Sequence, residues 1–65
     1  MKIMINGTAT DVQGETLAVV LEELGYGEAK VATAVNESFV PATARGQTTL
    51  AAGDRVEIVA PRQGG

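Results

Sequence analysis

The residues with the clearest chemical use are the last two, Gly64 and Gly65, which follow "EIVAPRQ" at the end of the sequence. Ordering a glycine costs more backbone entropy than ordering any other residue, so such an ending is either unstructured or serves a purpose. A C-terminal carboxylate is ionised at neutral pH and is unreactive in that form. Adenylation by ATP would convert it into a mixed anhydride, from which a sulfur nucleophile could displace AMP.

This chemistry requires the carboxylate to reach the active site of another protein. Residues without side chains would let it pass through a narrow channel. Pro61 would stiffen the exit from the preceding strand, and Arg62 and Gln63 would extend its reach. We therefore interpret residues 61–65 as a flexible tail that presents its terminal carboxylate. The alternative interpretation is a frayed terminus without a role.

The composition argues against catalysis by the chain itself. It has 65 residues with no Cys and no His, which excludes a disulfide framework, the usual zinc and iron–sulfur sites, and a Cys or His nucleophile or base. A chain of this size buries only about 60% of the surface that its unfolded form exposes, which leaves no room for an enclosed catalytic pocket. We expect a protein co-substrate rather than an enzyme, with no bound cofactor and no metal.

The charge balance argues against nucleic acid as a partner. Eight acidic residues oppose five basic ones, the formal net charge is −3, and the only aromatic residues are Tyr26 and Phe39. Nucleic-acid-binding proteins carry a basic stripe and aromatic stacking residues. An acidic surface suits solubility or docking to a basic groove on a protein.

The apolar segments argue against a membrane protein. The N-terminus "MKIMINGTAT" has no signal-peptide core, and the longest apolar run, from Leu17 to Leu21, is too short to cross a membrane. The absence of Cys fits a reducing compartment. We expect a cytoplasmic protein without a membrane anchor, and a monomer when alone.

Hydrophobic periodicity predicts the order β-β-α for the first half of the chain. The alternating stretch "MKIMIN", the hairpin signal Asn6-Gly7 and the stretch "TATDVQ" predict a first hairpin. The stretch "GETLAVVLEELGYG" has apolar residues at helical spacing and predicts a helix of about nine residues. Thr16 is the predicted N-cap and Gly25 the C-terminal cap, and Glu22 and Glu23 are predicted to face solvent.

The second half of the chain predicts three more strands. "KVATAV" and "SFV" are strand-like and are joined by a turn at Asn36-Glu37, where Asn36 is predicted to brace its own backbone. Pro41 ends the second of these strands. "PATARGQTTLAAGD" shows no clear period and predicts a loop with one helical turn and with Leu50 in the core. "RVEIV" is the last predicted strand.

One helix can cover only one face of such a sheet, and antiparallel neighbours tolerate a solvated face. The alternation predicts the face that packs on the helix: Ile3, Ile5, Thr33, Val35, Val56 and Ile58. The other face is predicted to be open and to carry four apolar residues, Met4, Ala32, Ala34 and Val59. We interpret these four, together with the tail residues Pro61, Arg62 and Gln63, as partner-binding. The alternative is ordinary surface apolar groups, which are common in proteins.

These stretches together resemble the ubiquitin-like sulfur carriers, and among them the ThiS family. The resemblance covers the whole chain and rests on "KIMING", "ETLAVVLEELG", "VATAVNESFVP", "LAAGDRVEIV" and "APRQGG". It implies the α+β class with the β-grasp fold: a domain over residues 1–60, in which a mixed sheet of four to five strands packs on one main helix, and a flexible C-terminal Gly-Gly tail over residues 61–65.

The resemblance also implies a mechanism and partners. A ThiF-like adenylyltransferase, using ATP and Mg²⁺, activates the carboxylate of Gly65, and Gly64 acts as its spacer. Sulfur from a cysteine desulfurase or another donor converts the carboxylate to a thiocarboxylate. A ThiG-like thiazole synthase then takes that sulfur into the thiazole of thiamine.

Other functions are compatible with the same residues. A sulfur carrier for molybdopterin synthesis or another sulfur pathway, and a covalent protein modifier, would use the same tail. A non-covalent β-grasp binding module would need no free C-terminus. The chain also departs from the family after "VP", where many relatives have an Arg and, shortly beyond, a Trp. Here the residues read "ATARGQ", which leaves residues 42–49 without an assigned role.

Overall fold

The computed structural model of the chain describes residues 1–27 and 29–60, so the interpretations of the tail residues 61–65 lie outside the described residues. The described elements are β1 (Lys2–Ile5), β2 (Thr8–Asp11), α1 (Leu17–Glu23), β3 (Ala32–Val35), β4 (Ser38–Val40), a 3₁₀ helix (Ala42–Gln47) and β5 (Arg55–Val59). This order confirms the predicted β-β-α-β-β-β succession. In the described part of the chain, no helix has the length and apolar composition needed to cross a membrane.

The five strands form one mixed sheet in the order β2-β1-β5-β3-β4. The hairpins β1–β2 and β3–β4 are antiparallel, and β5 runs antiparallel to β3. β5 runs parallel to β1, with Ile5 opposite Val56. The first and last strands of the chain therefore lie side by side in the middle of the sheet, with one hairpin extending it on each side.

Both hairpins close through two-residue turns whose residues have positive φ angles. Asn6 and Gly7 have φ angles of 50° and 85°, and Asn36 and Glu37 have φ angles of 50° and 73°. Two successive positive φ angles define the type I′ turn, whose twist matches that of the flanking strands. Asn tolerates this region better than most residues, so the two Asn residues account for the position of each turn.

Helix α1 is bounded by the two predicted caps. The Oγ1 of Thr16 accepts a hydrogen bond from the backbone N–H of Val19. At the other end Gly25 has a φ angle of 93°, and the N–H groups of Gly25 and Tyr26 bond to the carbonyls of Glu22 and Leu21. This is a Schellman motif, which satisfies carbonyls that the helix leaves free. It ends the helix after seven residues, two fewer than predicted.

The core lies between α1 and one face of the sheet. Among the described residues the buried apolar side chains are Ile3, Val12, Leu17, Val20, Leu21, Val40, Leu50, Val56 and Ile58. Ile5 and Val35 are half-buried against them. Thr33 is also buried, and its hydroxyl donates to the carbonyl of Val40 at 2.9 Å. The predicted inner face of the sheet and the predicted role of Leu50 are confirmed.

The stretch "PATARGQTTLAAGD", predicted as a loop with one helical turn, contains the 3₁₀ helix. The residues that follow the 3₁₀ helix are hydrogen-bonded to the start of α1 and to the residue before its N-cap. The N–H of Leu17 donates to the carbonyl of Thr48, and the N–H of Leu50 donates to that of Glu15. Arg45 fastens the 3₁₀ helix to β3, since its guanidinium donates to the carbonyl of Val31 at 2.6 Å and to the hydroxyl of Thr33 at 3.1 Å. The stretch between β4 and β5 thus carries its own attachment to the sheet.

The connection from β2 to α1 is held by Glu23. Its carboxylate accepts hydrogen bonds from the backbone N–H groups of Gln13 and Gly14 at 2.8–3.0 Å. The prediction that Glu23 faces solvent is confirmed by its exposure, but periodicity alone gave no sign of these bonds. Because bonds to a charged acceptor are stronger than neutral ones, this carboxylate anchors the segment that leads into the helix.

Replacing Glu23 should therefore destabilise the domain. For Glu23→Ala we expect the free energy of unfolding to fall by about 1 kcal/mol, since two N–H groups lose a charged acceptor but can still bind water. Urea denaturation followed by circular dichroism measures this change. The matched control is Glu22→Ala, the adjacent exposed position, for which we expect a change within about 0.5 kcal/mol. Equal losses in both variants would contradict the anchoring role.

Candidate functional site

The site begins with β5, because the predicted tail follows it directly in the sequence. β5 is paired on both sides. On one side it pairs with Met4 and Ile5 of β1, and on the other side with all four residues of β3. Its side chains alternate: Val56 and Ile58 are buried in the core, whereas Arg55, Glu57 and Val59 are exposed on the opposite face. A segment that follows such a strand starts from the middle of the sheet, beside the face that α1 leaves open.

An apolar patch lies on this open face at the C-terminal end of β5. Ala32 is opposite Val59, and Ala34 is opposite Phe39 on β4. Residues that are directly opposite each other in a ladder share one face of the sheet. Val59 and Phe39 are 62% and 69% exposed. We call Ala32, Ala34, Phe39 and Val59 the apolar patch.

The structure brings together three of the four residues predicted for this patch and separates the fourth. Met4 is half-buried on β1 at the level of Arg55, next to Ala9 on β2. Val59 lies four residues further along β5, a distance of about 13 Å at the usual rise per residue. Met4 therefore lies towards the other end of the open face. The reason is the parallel register of β1 and β5, which the alternation of β1 alone does not reveal.

Phe39 is the patch residue that sequence reasoning missed. Its neighbour Val40 is buried, and successive side chains of a strand point to opposite faces. Phe39 must therefore point outward if Val40 points inward. The signal was present in "SFVP", but it could be used only after Val40 had been assigned to the core.

β5 itself contributes charged side chains to the surroundings of the patch. Glu57 is exposed and lies opposite Ala34, so a carboxylate borders the patch. Arg55, two residues earlier on the same face, lies opposite Met4. A partner surface that covers the patch must therefore accept a negative charge close to the apolar side chains, which favours a basic group at that place.

The start of β5 is held by Asn36. Its Oδ1 accepts from the backbone N–H of Arg55 at 2.9 Å, and its Nδ2 donates to Oδ1 of Asp54 at 3.1 Å. The prediction that Asn36 braces its own backbone was wrong, because its side chain reaches across to the neighbouring strand. Asp54 also accepts from the N–H of Ala51 at 2.8 Å. The bond from Ala51, with that from Asn36, lowers the pKa of Asp54 below its ordinary value.

The end of β5 is held by Asn6 through two hydrogen bonds. Its Nδ2 donates to the carbonyl of Ile58 at 3.0 Å, and its Oδ1 accepts from the N–H of Ile58 at 2.8 Å. The backbone N–H of Asn6 also donates to the carbonyl of Val56 at 2.9 Å. The side chain thus continues the ladder between β1 and β5 after the backbone of β1 has turned away at Gly7.

No arrangement of described side chains looks suited to bind a metal. Within residues 1–27 and 29–60 there is no group of three or more Asp or Glu side chains that could hold an ion. A shallow groove of about 280 Å³ lies between α1 and the 3₁₀ helix, lined in part by Ala18, Glu22, Tyr26 and Arg45. The groove lies on the helix side of the sheet and is separate from the apolar patch.

A five-stranded mixed sheet with its first and last strands parallel in the centre, packed on one helix, defines a β-grasp, ubiquitin-like protein. The model of the ThiS family matches residues 3–65, and the chain therefore belongs to the ThiS family. This assignment confirms the resemblance drawn from the sequence motifs, and the fold confirms the β-grasp class that it implied.

The relatives match the chain over nearly its whole length. The sulfur carrier protein ThiS of Thermus thermophilus is 38% identical over 63 residues, which cover 97% of this chain and 98% of that protein. The crystal structure of a thiamine biosynthesis protein (ThiS) from Geobacter metallireducens has a TM-score of 0.85 and 28% identity, with full coverage of both chains. A solution structure of a thiamine biosynthesis protein from the same organism has a TM-score of 0.79 and 26% identity, and covers all of this chain and 88% of that one.

The lowered pKa of Asp54 predicts a pH dependence of stability. Because the folded-state pKa lies below the ordinary value of 3.8, the ionised carboxylate stabilises the fold above that value, and this contribution is lost as pH falls through the folded-state pKa. Between about pH 5 and about pH 2.5, wild type should therefore lose more stability than Asp54→Asn, which lacks the carboxylate. Urea midpoints at both pH values measure the difference, and equal losses would contradict the role of Asp54.

Proposed function

We propose that the chain is a sulfur carrier of thiamine biosynthesis, whose C-terminal carboxylate is adenylated and then converted to a thiocarboxylate. The observation that carries the proposal is the match of the ThiS family model through residue 65, which includes Gly64 and Gly65. It is supported by a relative named as a sulfur carrier that is matched over nearly its full length. The position of β5 also supports it, because the residues that follow start beside an open apolar face.

The proposed chemistry takes place on Gly65, with Gly64 as a slender spacer. The carboxylate attacks the α-phosphorus of ATP, which forms an acyl adenylate and releases pyrophosphate. A sulfur nucleophile then attacks the acyl carbon, and AMP leaves. Sulfide gives the thiocarboxylate directly. When the donor is a persulfide, an acyl disulfide forms, and a thiol from a partner protein or from solution must attack the donor's sulfur, which releases the thiocarboxylate and leaves a disulfide between that thiol and the donor. None of these steps needs a catalytic side chain from the carrier, which has no Cys or His to offer.

The proposed partners supply the catalysis. A ThiF-like adenylyltransferase binds ATP and Mg²⁺ and activates the carrier. A cysteine desulfurase or another donor provides sulfur, and a ThiG-like thiazole synthase consumes the thiocarboxylate and returns the carboxylate. The carrier is a co-substrate with no cofactor of its own. Its lack of Cys is compatible with the reducing cytoplasm, where we expect the cycle to run.

We assign the apolar patch as the docking surface for the activating enzyme. Phe39 and Val59 are large and exposed, and aromatic and aliphatic side chains of this kind form the energetic centre of protein interfaces. Pro61, Arg62 and Gln63 would then carry the carboxylate from the docked domain into the active site. Met4 lies further from the C-terminal end of β5 and is assigned to the margin of the contact.

Intact mass spectrometry tests the sulfur chemistry. The chain is incubated with a ThiF-type enzyme, ATP, Mg²⁺ and sodium sulfide, beside a variant that lacks Gly65. We expect a mass increase equal to one oxygen replaced by sulfur in the full chain and none in the truncated variant. An enzyme that modifies its own carrier but leaves this folded chain unchanged would contradict the proposal and favour a non-covalent binding module.

Charge substitution tests the docking surface. Val59→Asp should raise the KM for the carrier in adenylation by about tenfold or more, because the side chain would carry a charge into an apolar contact. The matched control is Val19→Asp, since Val19 is a half-exposed valine on α1 (51%), away from the patch. Both variants should retain the wild-type circular dichroism spectrum. An unchanged KM for Val59→Asp, or an equal rise for Val19→Asp, would argue against the patch.

A further inference from the structure

At its C-terminal end, β5 extends beyond the end of its neighbour β1. The backbone pairing of β1 with β5 ends at Ile5 opposite Val56, because β1 turns away at Asn6 and Gly7. On the other side β5 stays paired to its end, with Ala32 opposite Val59. The polar backbone groups of β5 alternate between its two neighbours, so those of Ile58, like those of Val56, point towards β1.

The side chain of Asn6 makes the hydrogen bonds to β5 that a further residue of β1 would have made. Its amide pairs with both polar backbone groups of Ile58, at 3.0 Å and 2.8 Å. Among the described residues these are the side-chain hydrogen bonds that hold β5 beyond Val56. They join residues 52 positions apart in the sequence, and they act two residues before Ala60, the last described residue.

The Asn6 amide is well placed for this role. The type I′ turn fixes its backbone at a φ angle of 50°. Both the donor and the acceptor of the amide are used, so its orientation is fixed by the N–H and the carbonyl that it meets. The side chain of Ile58 is buried in the core at 6% exposure. The two hydrogen bonds, which we call the Asn6 clamp, therefore join the β1–β2 turn to a residue of β5 whose side chain is held in the core.

We propose that Asn6 is a positioning residue for the reaction at Gly65. Its amide fixes the place and direction in which β5 gives way to the C-terminal segment. The seven residues that follow Ile58 can span at most about 25 Å, so the point at which they leave the sheet determines which positions the carboxylate can reach. If the end of β5 were held less firmly, a smaller fraction of the bound carriers would present the carboxylate to ATP in a productive geometry. This inference rests on the function proposed above.

The expected kinetic signature separates positioning from docking. The apolar patch makes the contact that determines the KM for the carrier, whereas Asn6 acts after docking. Loss of the Asn6 amide should therefore lower kcat and leave KM nearly unchanged. A general loss of stability would not produce this split at a temperature where the variant is fully folded.

The chain provides a matched control in Asn36. It has the same φ angle of 50°, occupies the same position in a type I′ turn, and also holds β5 through its amide. It acts at Arg55, the end of β5 furthest from the tail. Glycine adopts positive φ without strain, so Asn6→Gly and Asn36→Gly each remove the amide and keep the turn.

The experiment measures thiocarboxylate formation with a ThiF-type enzyme, ATP, Mg²⁺ and sodium sulfide, with the carrier as the varied substrate. We expect Asn6→Gly to lower kcat by about tenfold with KM within about twofold, and Asn36→Gly to leave both within about twofold. Amide hydrogen exchange should show faster exchange of the Ile58 N–H in Asn6→Gly alone. This readout confirms that the clamp has been removed.

Three results would overturn the inference, and they can be told apart. An unchanged kcat in Asn6→Gly, with faster exchange at Ile58, would show that the clamp does not position the reaction. An equal loss of kcat in Asn36→Gly would show that loosening β5 anywhere has the same effect. No product from wild type, with an enzyme that modifies its own carrier, would overturn the proposed function and with it the role of Asn6.

Discussion

The parallel pairing of β1 and β5 is the interaction on which the rest of the structure depends. It joins the two ends of the described chain, with Ile5 opposite Val56, and it places one antiparallel hairpin on each side of a central pair. The buried side chains Ile3 and Val56 then face α1 together. Without this pairing the β1–β2 hairpin would be separated from the other three strands, and an isolated two-stranded hairpin is marginally stable in water. The same pairing puts the strand that precedes the tail in the middle of the sheet.

The small size of the domain explains why one face of its sheet stays open. A helix of seven residues is marginal on its own and persists because it packs on the sheet, and it covers only one side. Antiparallel neighbours allow the other side to face water, and that side carries the exposed side chains of Phe39 and Val59. One face of the sheet thus forms the core with α1, and the other face remains exposed to solvent. The proposed carrier needs no pocket, because its partners supply the catalytic groups.

The order of the strands and of the main helix could be predicted from the sequence, whereas several hydrogen bonds of side chains could not, and these bonds share one cause. Thr16, Gly25 and the Asn6-Gly7 turn act on their own neighbours, so local patterns identified them. The exposure of Glu23 was also predictable, but its bonds to the N–H groups of Gln13 and Gly14 depend on how the preceding segment returns to the helix. Asn36 looked like a local turn residue and proved to hold the neighbouring strand. In each case a side chain bonds to backbone that folding, rather than sequence proximity, brings near.

The sequence by itself determined the periods of the strands and the helix, the positive-φ turns and the inner face of the sheet, since each depends on interactions among residues that are close in the sequence. Only the tertiary structure decided that Met4 lies far from Val59, that Phe39 joins the patch, and that Asn6 clamps Ile58 across 52 residues. The physical reason is register. Alternation specifies which face a side chain occupies, but its position along that face depends on how distant strands align, and this alignment is set by the packing of the whole core.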